Sequence, residues 1–137
     1  MIALLALTLP AAAMAASPLE GSWTNPKGSV TVRIAPCGPT LCGRVTSASP
    51  EARNDAAAAG TPRLIGTEIM GGLEQVGQGE WAGSVFVPDR NVRAQGNFRL
   101  LSATRLSVEG CAIGGLLCKE QLWTRVAPAR AKRRARR

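Results

Sequence analysis

The sequence predicts an all-β fold, an antiparallel up-and-down β-barrel of about eight strands, and three observations carry that expectation. Apolar residues recur with a period of two, not the helical period of about 3.6, in the longest patterned stretches. Clusters of turn-forming residues interrupt those stretches at short intervals. The strand-like segments are enough for the sheet to close on itself, leaving an interior packed by side chains or just wide enough for one small ligand. An open sandwich is the competing arrangement.

The first strand is expected at Gly21–Thr24, ended by the turn Asn25-Pro26-Lys27-Gly28. In Ser29–Ala35, Val30, Val32 and Ile34 alternate with Ser29, Thr31 and Arg33, the trace of a strand with one face in a core and one in water. Cys37-Gly38-Pro39-Thr40 turns the chain into a third strand, Leu41–Ser47. Ala48 to Arg63 is too long for a hairpin. It can hold one helical turn around Glu51 to Ala59, and its run Ala56-Ala57-Ala58-Ala59-Gly60 reads as a tolerated insertion rather than a lid. Strands follow at Leu64–Leu73, Glu80–Val87, Val92–Leu101, Thr104–Cys111 and Leu117–Val126. In the longest, Val92, Ala94, Gly96, Phe98 and Leu100 share one face while Arg93, Gln95, Asn97 and Arg99 share the other. Turns are expected at Gly77-Gln78-Gly79, Pro88-Asp89-Arg90-Asn91 and Ser102-Ala103. Gly71-Gly72, Gly77 with Gly79, and Gly114-Gly115 read as turn glycines, because no helix follows them to make a phosphate cradle.

A chain of 137 residues, 45% apolar, fits one small domain and excludes a multidomain enzyme. Histidine and tyrosine are absent, which removes the usual general base, the commonest metal ligand and any Ser-His-Asp or Cys-His nucleophile. No metal and no cofactor is expected. Met1 to Leu9 is apolar apart from Thr8, and Ala13-Met14-Ala15 has the shape of a signal-peptidase site, so residues 1–15 read as a cleaved signal peptide. A membrane span would need roughly 20 apolar residues, and Ser17, Pro18 and Glu20 intervene first. No basic residue precedes Ile2, as expected if translation starts further upstream. The protein is thus expected to be periplasmic or secreted, with a barrel domain at 16–127 and a basic tail at 128–137.

The formal charge of +8 is concentrated in that tail. Arg130, Lys132, Arg133, Arg134, Arg136 and Arg137 supply six of the 17 basic residues, which leaves the body nearly neutral. The tail has no apolar periodicity and is expected to be a solvated arm, either without function or drawn to an anionic surface. Specific nucleic-acid binding is not expected, since the few aromatic residues are needed in the core.

Four cysteines in an exported chain point to disulfides rather than zinc. Loop entropy favours cross-linking the two motifs, about 4.5 kcal/mol against roughly 2 to 2.5 for each local loop. Proximity favours Cys37 with Cys42 and Cys111 with Cys118, and this local pairing is the expectation.

In a closed barrel the first and last strands are neighbours, so Trp23 and Arg125 can meet. A guanidinium on an indole is worth roughly 0.5 to 2 kcal/mol and would seal one end, with a ligand-holding role as the alternative. If Trp123 faces inward, period two carries Lys119, Gln121 and Arg125 with it, whereas the opposite register buries Glu120, Leu122 and Thr124. Either choice places polar groups inside, where they must be paired, solvated at a mouth or held for a ligand. Trp23, Gln121, Trp123 and Arg125 are therefore the candidate ligand-binding residues, and no catalytic residue is assigned. Arg33 and Arg44 are expected on outer faces. None of the nine acidic residues forms a close pair in sequence; Glu109 and Glu120 could become neighbours across the last hairpin, but nothing in the sequence asks for acid–base chemistry there.

These residues in this order resemble the DUF2147 family of exported bacterial proteins. The resemblance rests on Gly21-Ser22-Trp23, the stretch from Val32 to Val45 with its Pro36-Cys37-Gly38-Pro39-Thr40-Leu41-Cys42-Gly43 centre, Arg63-Leu64-Ile65-Gly66, Trp81-Ala82-Gly83, Gly110-Cys111, Cys118 and Trp123-Thr124-Arg125. It implies a periplasmic, lipocalin-like barrel of the calycin type and no established enzymatic activity. The opening Gly-x-Trp and closing Arg are also similar to the lipocalin pattern, in which the arginine packs across the tryptophan. The chain departs from the family at Val87 to Arg93 and in its Ala-rich loop around Asn54 and Asp55. The functional expectation is a non-catalytic binder of a small apolar or amphipathic ligand in the barrel. The alternative is a structural or interaction module of the cell envelope with a filled barrel, and interior volume separates the two.

Overall fold

The computed structural model describes residues 16–112 and 117–127 and shows a closed antiparallel barrel whose eight strands follow one another in chain order. They are β1 (Gly21–Thr24), β2 (Val30–Cys37), β3 (Thr40–Ala48), β4 (Glu68–Gly77), β5 (Glu80–Val87), β6 (Val92–Ser102), β7 (Arg105–Ala112) and β8 (Leu117–Arg125), with one helix, α1 (Pro50–Ala58), between β3 and β4. β1 closes the barrel against β8, with Trp23 opposite Arg125 and Thr24 opposite Thr124. Up-and-down order gives the barrel two ends. The segment before β1, the β2–β3, β4–β5 and β6–β7 turns and the end of β8 lie at the lower end. The β1–β2 and β5–β6 connections, α1, the end of β7 and the start of β8 lie at the upper end.

Period two places the core. Trp23, Ile34, Met70, Phe98, Leu106 and Trp123 point inward and are at most 5% exposed, while their neighbours Arg33, Asn97, Arg99 and Arg105 are exposed. Burying such side chains is the main stabilising term of a small domain. Each turn closes locally. At β1–β2 the Gly28 N–H donates to the Asn25 carbonyl at 3.0 Å, and the Asn25 side-chain oxygen accepts from the Ser29 and Val30 amides at 2.8 and 3.1 Å.

Three expectations are corrected. β4 begins at Glu68, not Leu64. Leu64 is buried, but it sits in a turn whose Gly66 has φ +91° and donates its N–H to the Val45 carbonyl, so apolar character there marks a plug rather than a strand. Gly71 and Gly72 are not a turn: they lie within β4, where Gly72 at φ +57° makes a bulge that lets Leu73 point inward opposite Gly83. The long connection is also more than an insertion with one helical turn. α1 runs nine residues from the Ser49 cap, whose hydroxyl accepts the Ala52 N–H, with Pro50 at its start. Its Ala56 is 1% exposed within the same core cluster as Trp23 and Ile34. The proposed signal peptide, Gly114-Gly115 and the basic tail lie outside the described residues.

Candidate functional site

At the lower end Arg125 holds three chain segments together. Its guanidinium lies over the Trp23 ring at 4.3 Å. Nε donates to the Ala103 carbonyl at 2.7 Å, Nη1 to that of Glu20 at 2.7 Å and Nη2 to that of Pro18 at 2.6 Å. The fixed fork of arginine reaches three separate carbonyls at once, which the single ammonium of lysine could not do. The Trp23 indole N–H donates to the Leu19 carbonyl at 3.0 Å, and both Trp23 and Leu19 are fully buried. The Trp23 indole N–H and three of the five Arg125 N–H groups are thus bonded to backbone carbonyls of this chain, which ties the start of β1, the end of β8 and the β6–β7 turn together.

The upper end differs from one side to the other. α1 stands against the β5–β6 side, where Asp55, Ala58, Ala59 and Asp89 bound an external cleft of about 350 Å³. On that side the inward space is filled: a Cβ on Gly96 would lie 2.5 Å from Val85 Cγ2 and 2.9 Å from Phe98. The β7–β8 side is less filled among the described residues. Gly110 is the register partner of Gly96, yet among the described residues a Cβ there would meet only the Cβ of Ala94, at 3.8 Å. Inward-facing β8 residues follow the same gradient. Trp123, opposite Leu106, is buried; Gln121, opposite Val108, and Lys119, opposite Gly110, are exposed at the mouth. The Trp123 indole N–H donates to Gln121 Oε1 at 3.2 Å. The odd-numbered face of β8 is therefore the inner one, and Glu120, Leu122 and Thr124 are outside and exposed.

The outer faces carry the remaining charges. Arg33 and Arg44 are register partners and exposed, and Arg44 lies 3.9 Å from Glu68. Glu109 and Glu120 are also register partners. Together with Glu80, Asn97, Arg99 and Ser107 they line an open external groove of about 280 Å³. Ser107 donates to Glu120 at 3.1 Å and Arg99 pairs with Glu80 at 3.3 Å. A general acid needs a desolvated carboxyl, and neither Glu109 nor Glu120 is buried. The four cysteines are consumed in the local disulfides Cys37–Cys42 and Cys111–Cys118. Their sulfurs lie near Glu68 and Glu109, but an oxidised pair offers no thiolate for a metal.

Alternation along β8 gives Lys119 the same facing as Trp123 but not its height. Its place at the rim follows from the β7–β8 register.

The geometry agrees with the comparisons. A family model described as "Uncharacterized protein conserved in bacteria (DUF2147)" matches residues 21–125. Among solved structures, protein HP1028 from the human pathogen Helicobacter pylori, described as belonging to the lipocalin family, superposes with a TM-score of 0.65 at 14% identity, over 84% of this chain and 87% of that one. That likeness speaks for the fold alone. No curated protein matches the sequence.

Proposed function

The chain belongs to the DUF2147 family, and from that premise we propose that it is a non-catalytic binder of a small amphipathic molecule held at the upper mouth of its barrel. The observation that carries this reading is the contrast between Gly96, whose inward space is occupied, and its partner Gly110, whose inward space meets only Ala94 among the described residues. Beside that space stand the apolar Ala94 and Val108, with the Gln121 amide level with Val108 and the Lys119 cation level with Gly110 on the neighbouring strand. Apolar walls with a few polar groups at one rim suit a short amphiphile with an anionic head. A deep-cavity version of the same idea has packing against it, since Gly43, Gly83 and Gly96 all face filled space. That filling favours the second reading, an envelope interaction module. In either case the protein would act in the periplasm or outside the cell, with Arg130 to Arg137 drawn to an anionic surface.

Native mass spectrometry of the protein recovered from the exported fraction, without organic extraction, tests the proposal. A bound mass that disappears in Gly110→Leu supports it. Bare protein under every growth condition, or a bound mass unaffected by Gly110→Leu, overturns it.

A further inference from the structure

A closed barrel has no free edge, yet this one closes over only part of its last strand. β8 pairs with β7 continuously from Leu117 to Thr124, but with β1 only at Thr124 and Arg125. The chain then turns away: Pro26 carries no N–H with which to continue the ladder, and the Asn25–Gly28 turn spends its polar groups on itself. Hydrogen-bond parity shows which groups are left over. The Arg125 N–H points toward the β6–β7 turn, to the Thr104 carbonyl, and the Val126 N–H points toward β1, to the Ser22 carbonyl. In a regular strand these directions alternate, so the N–H and C=O of Glu120 and Leu122 face the β1 side. Among the described residues nothing pairs with them there. Both residues are exposed, and so are Lys119 and Gln121 between and beside them.

We propose that the edge of β8 at Glu120–Leu122 docks an extended segment of another protein by strand addition, with a basic residue set opposite Glu120. A second copy of this chain is the first occupant to consider, and register argues against it. Two-fold antiparallel pairing keeps inner faces together, so it must centre on a residue. Centring on Glu120 or Lys119 sets like charges directly opposite each other, which destabilises the pair. Centring on Gln121 drives the copy's Cys118 to the level of Thr124, a place Thr24 already fills. A linear partner has neither problem. On the outer face it meets Glu120, with Glu109 beside it, and then Leu122, 38% exposed; on the inner face it meets Lys119. An antiparallel segment that reads aliphatic, any residue, basic, acidic matches Leu122, Gln121, Glu120 and Lys119 in turn. Its backbone supplies the missing partners, and its charges supply selectivity.

The test titrates isotopically labelled full chain with the peptide acetyl-Thr-Val-Thr-Lys-Glu-Thr-amide. The amide signals of Glu120 and Leu122 should shift and gain exchange protection. Replacing the peptide's Lys by Glu should weaken binding about threefold to fivefold, and Glu120→Lys in the protein should reverse that preference. Methylating the Val and Lys amides of the peptide should abolish the effect, which separates strand pairing from simple charge attraction. Unchanged Glu120 and Leu122 amides, or a preference indifferent to Glu120→Lys, overturns the proposal. So does concentration-dependent protection of these amides without peptide, which would make the occupant a second copy.

Discussion

Replacing Arg125 by alanine should cost about 3.5 kcal/mol, and the structure says where that comes from. The stacking over Trp23 at 4.3 Å contributes on the order of 1 kcal/mol. The hydrogen bond to the Glu20 carbonyl is part-buried, and a bond from a charged donor there is worth about 1.5 kcal/mol. Those to Ala103 and Pro18 lie at the surface, where water can replace the donor and each is worth only about 0.5 kcal/mol. For a domain of this size the loss corresponds to a fall in Tm of roughly 10 °C. Urea unfolding followed by tryptophan fluorescence measures it, since Trp23 and Trp123 are both buried. Arg125→Lys should recover less than half, because an ammonium cannot reach three separated carbonyls. A cycle with Trp23→Phe should show a coupling of about 0.5 to 1 kcal/mol. If Arg125→Ala stays within about 0.5 kcal/mol of wild type, or lysine serves as well as arginine, the lower end is not held by this guanidinium.

Further outcomes follow from the same geometry. Cys111→Ser with Cys118→Ser should lower stability by about 2.5 kcal/mol without altering far-UV circular dichroism; loss of the β-spectrum would mean that the bridge, not the sheet, defines the β7–β8 pairing. Gly96→Ala should cost about 1 to 3 kcal/mol through the Val85 and Phe98 overlap, and Gly110→Ala should stay within about 0.5 kcal/mol of wild type; equal costs in chemical denaturation would contradict the asymmetry of the mouth. Deleting residues 129–137 should abolish salt-sensitive retention on anionic vesicles, and unchanged retention at low salt would remove the electrostatic role of the tail.

The barrel and the family resemblance were legible in the sequence because period two is a direct record of which side chains enter the core. β1 and β5 fall where their turn residues place them, Gly21–Thr24 and Glu80–Val87. Strand order alone brings Trp23 to Arg125 and Glu109 to Glu120, both seen in the register. Leu64 misled because burial in a turn and burial in a strand leave the same apolar mark, and only Gly66 beyond it signals the turn. The packing of α1 was hidden for a related reason: its single buried residue, Ala56, is indistinguishable in sequence from the alanines beside it. The height at which β1 leaves β8 was least visible. It depends on how far one strand runs past another, which alternation does not encode; Pro26 was the available clue. Without that height, Gln121 and Lys119 could be assigned an inner face but not a place at the rim.

The mouth is tested most directly by the three indole N–H signals of the labelled protein during titration with decanoate. The Trp123 indole, hydrogen-bonded to Gln121, should shift with saturation, while the Trp23 indole, bonded to the Leu19 carbonyl in the sealed end, should stay still. Silence at Trp123 while decanoate binds elsewhere, or movement of Trp23 in its place, would contradict a ligand site at the β7–β8 side of the upper mouth.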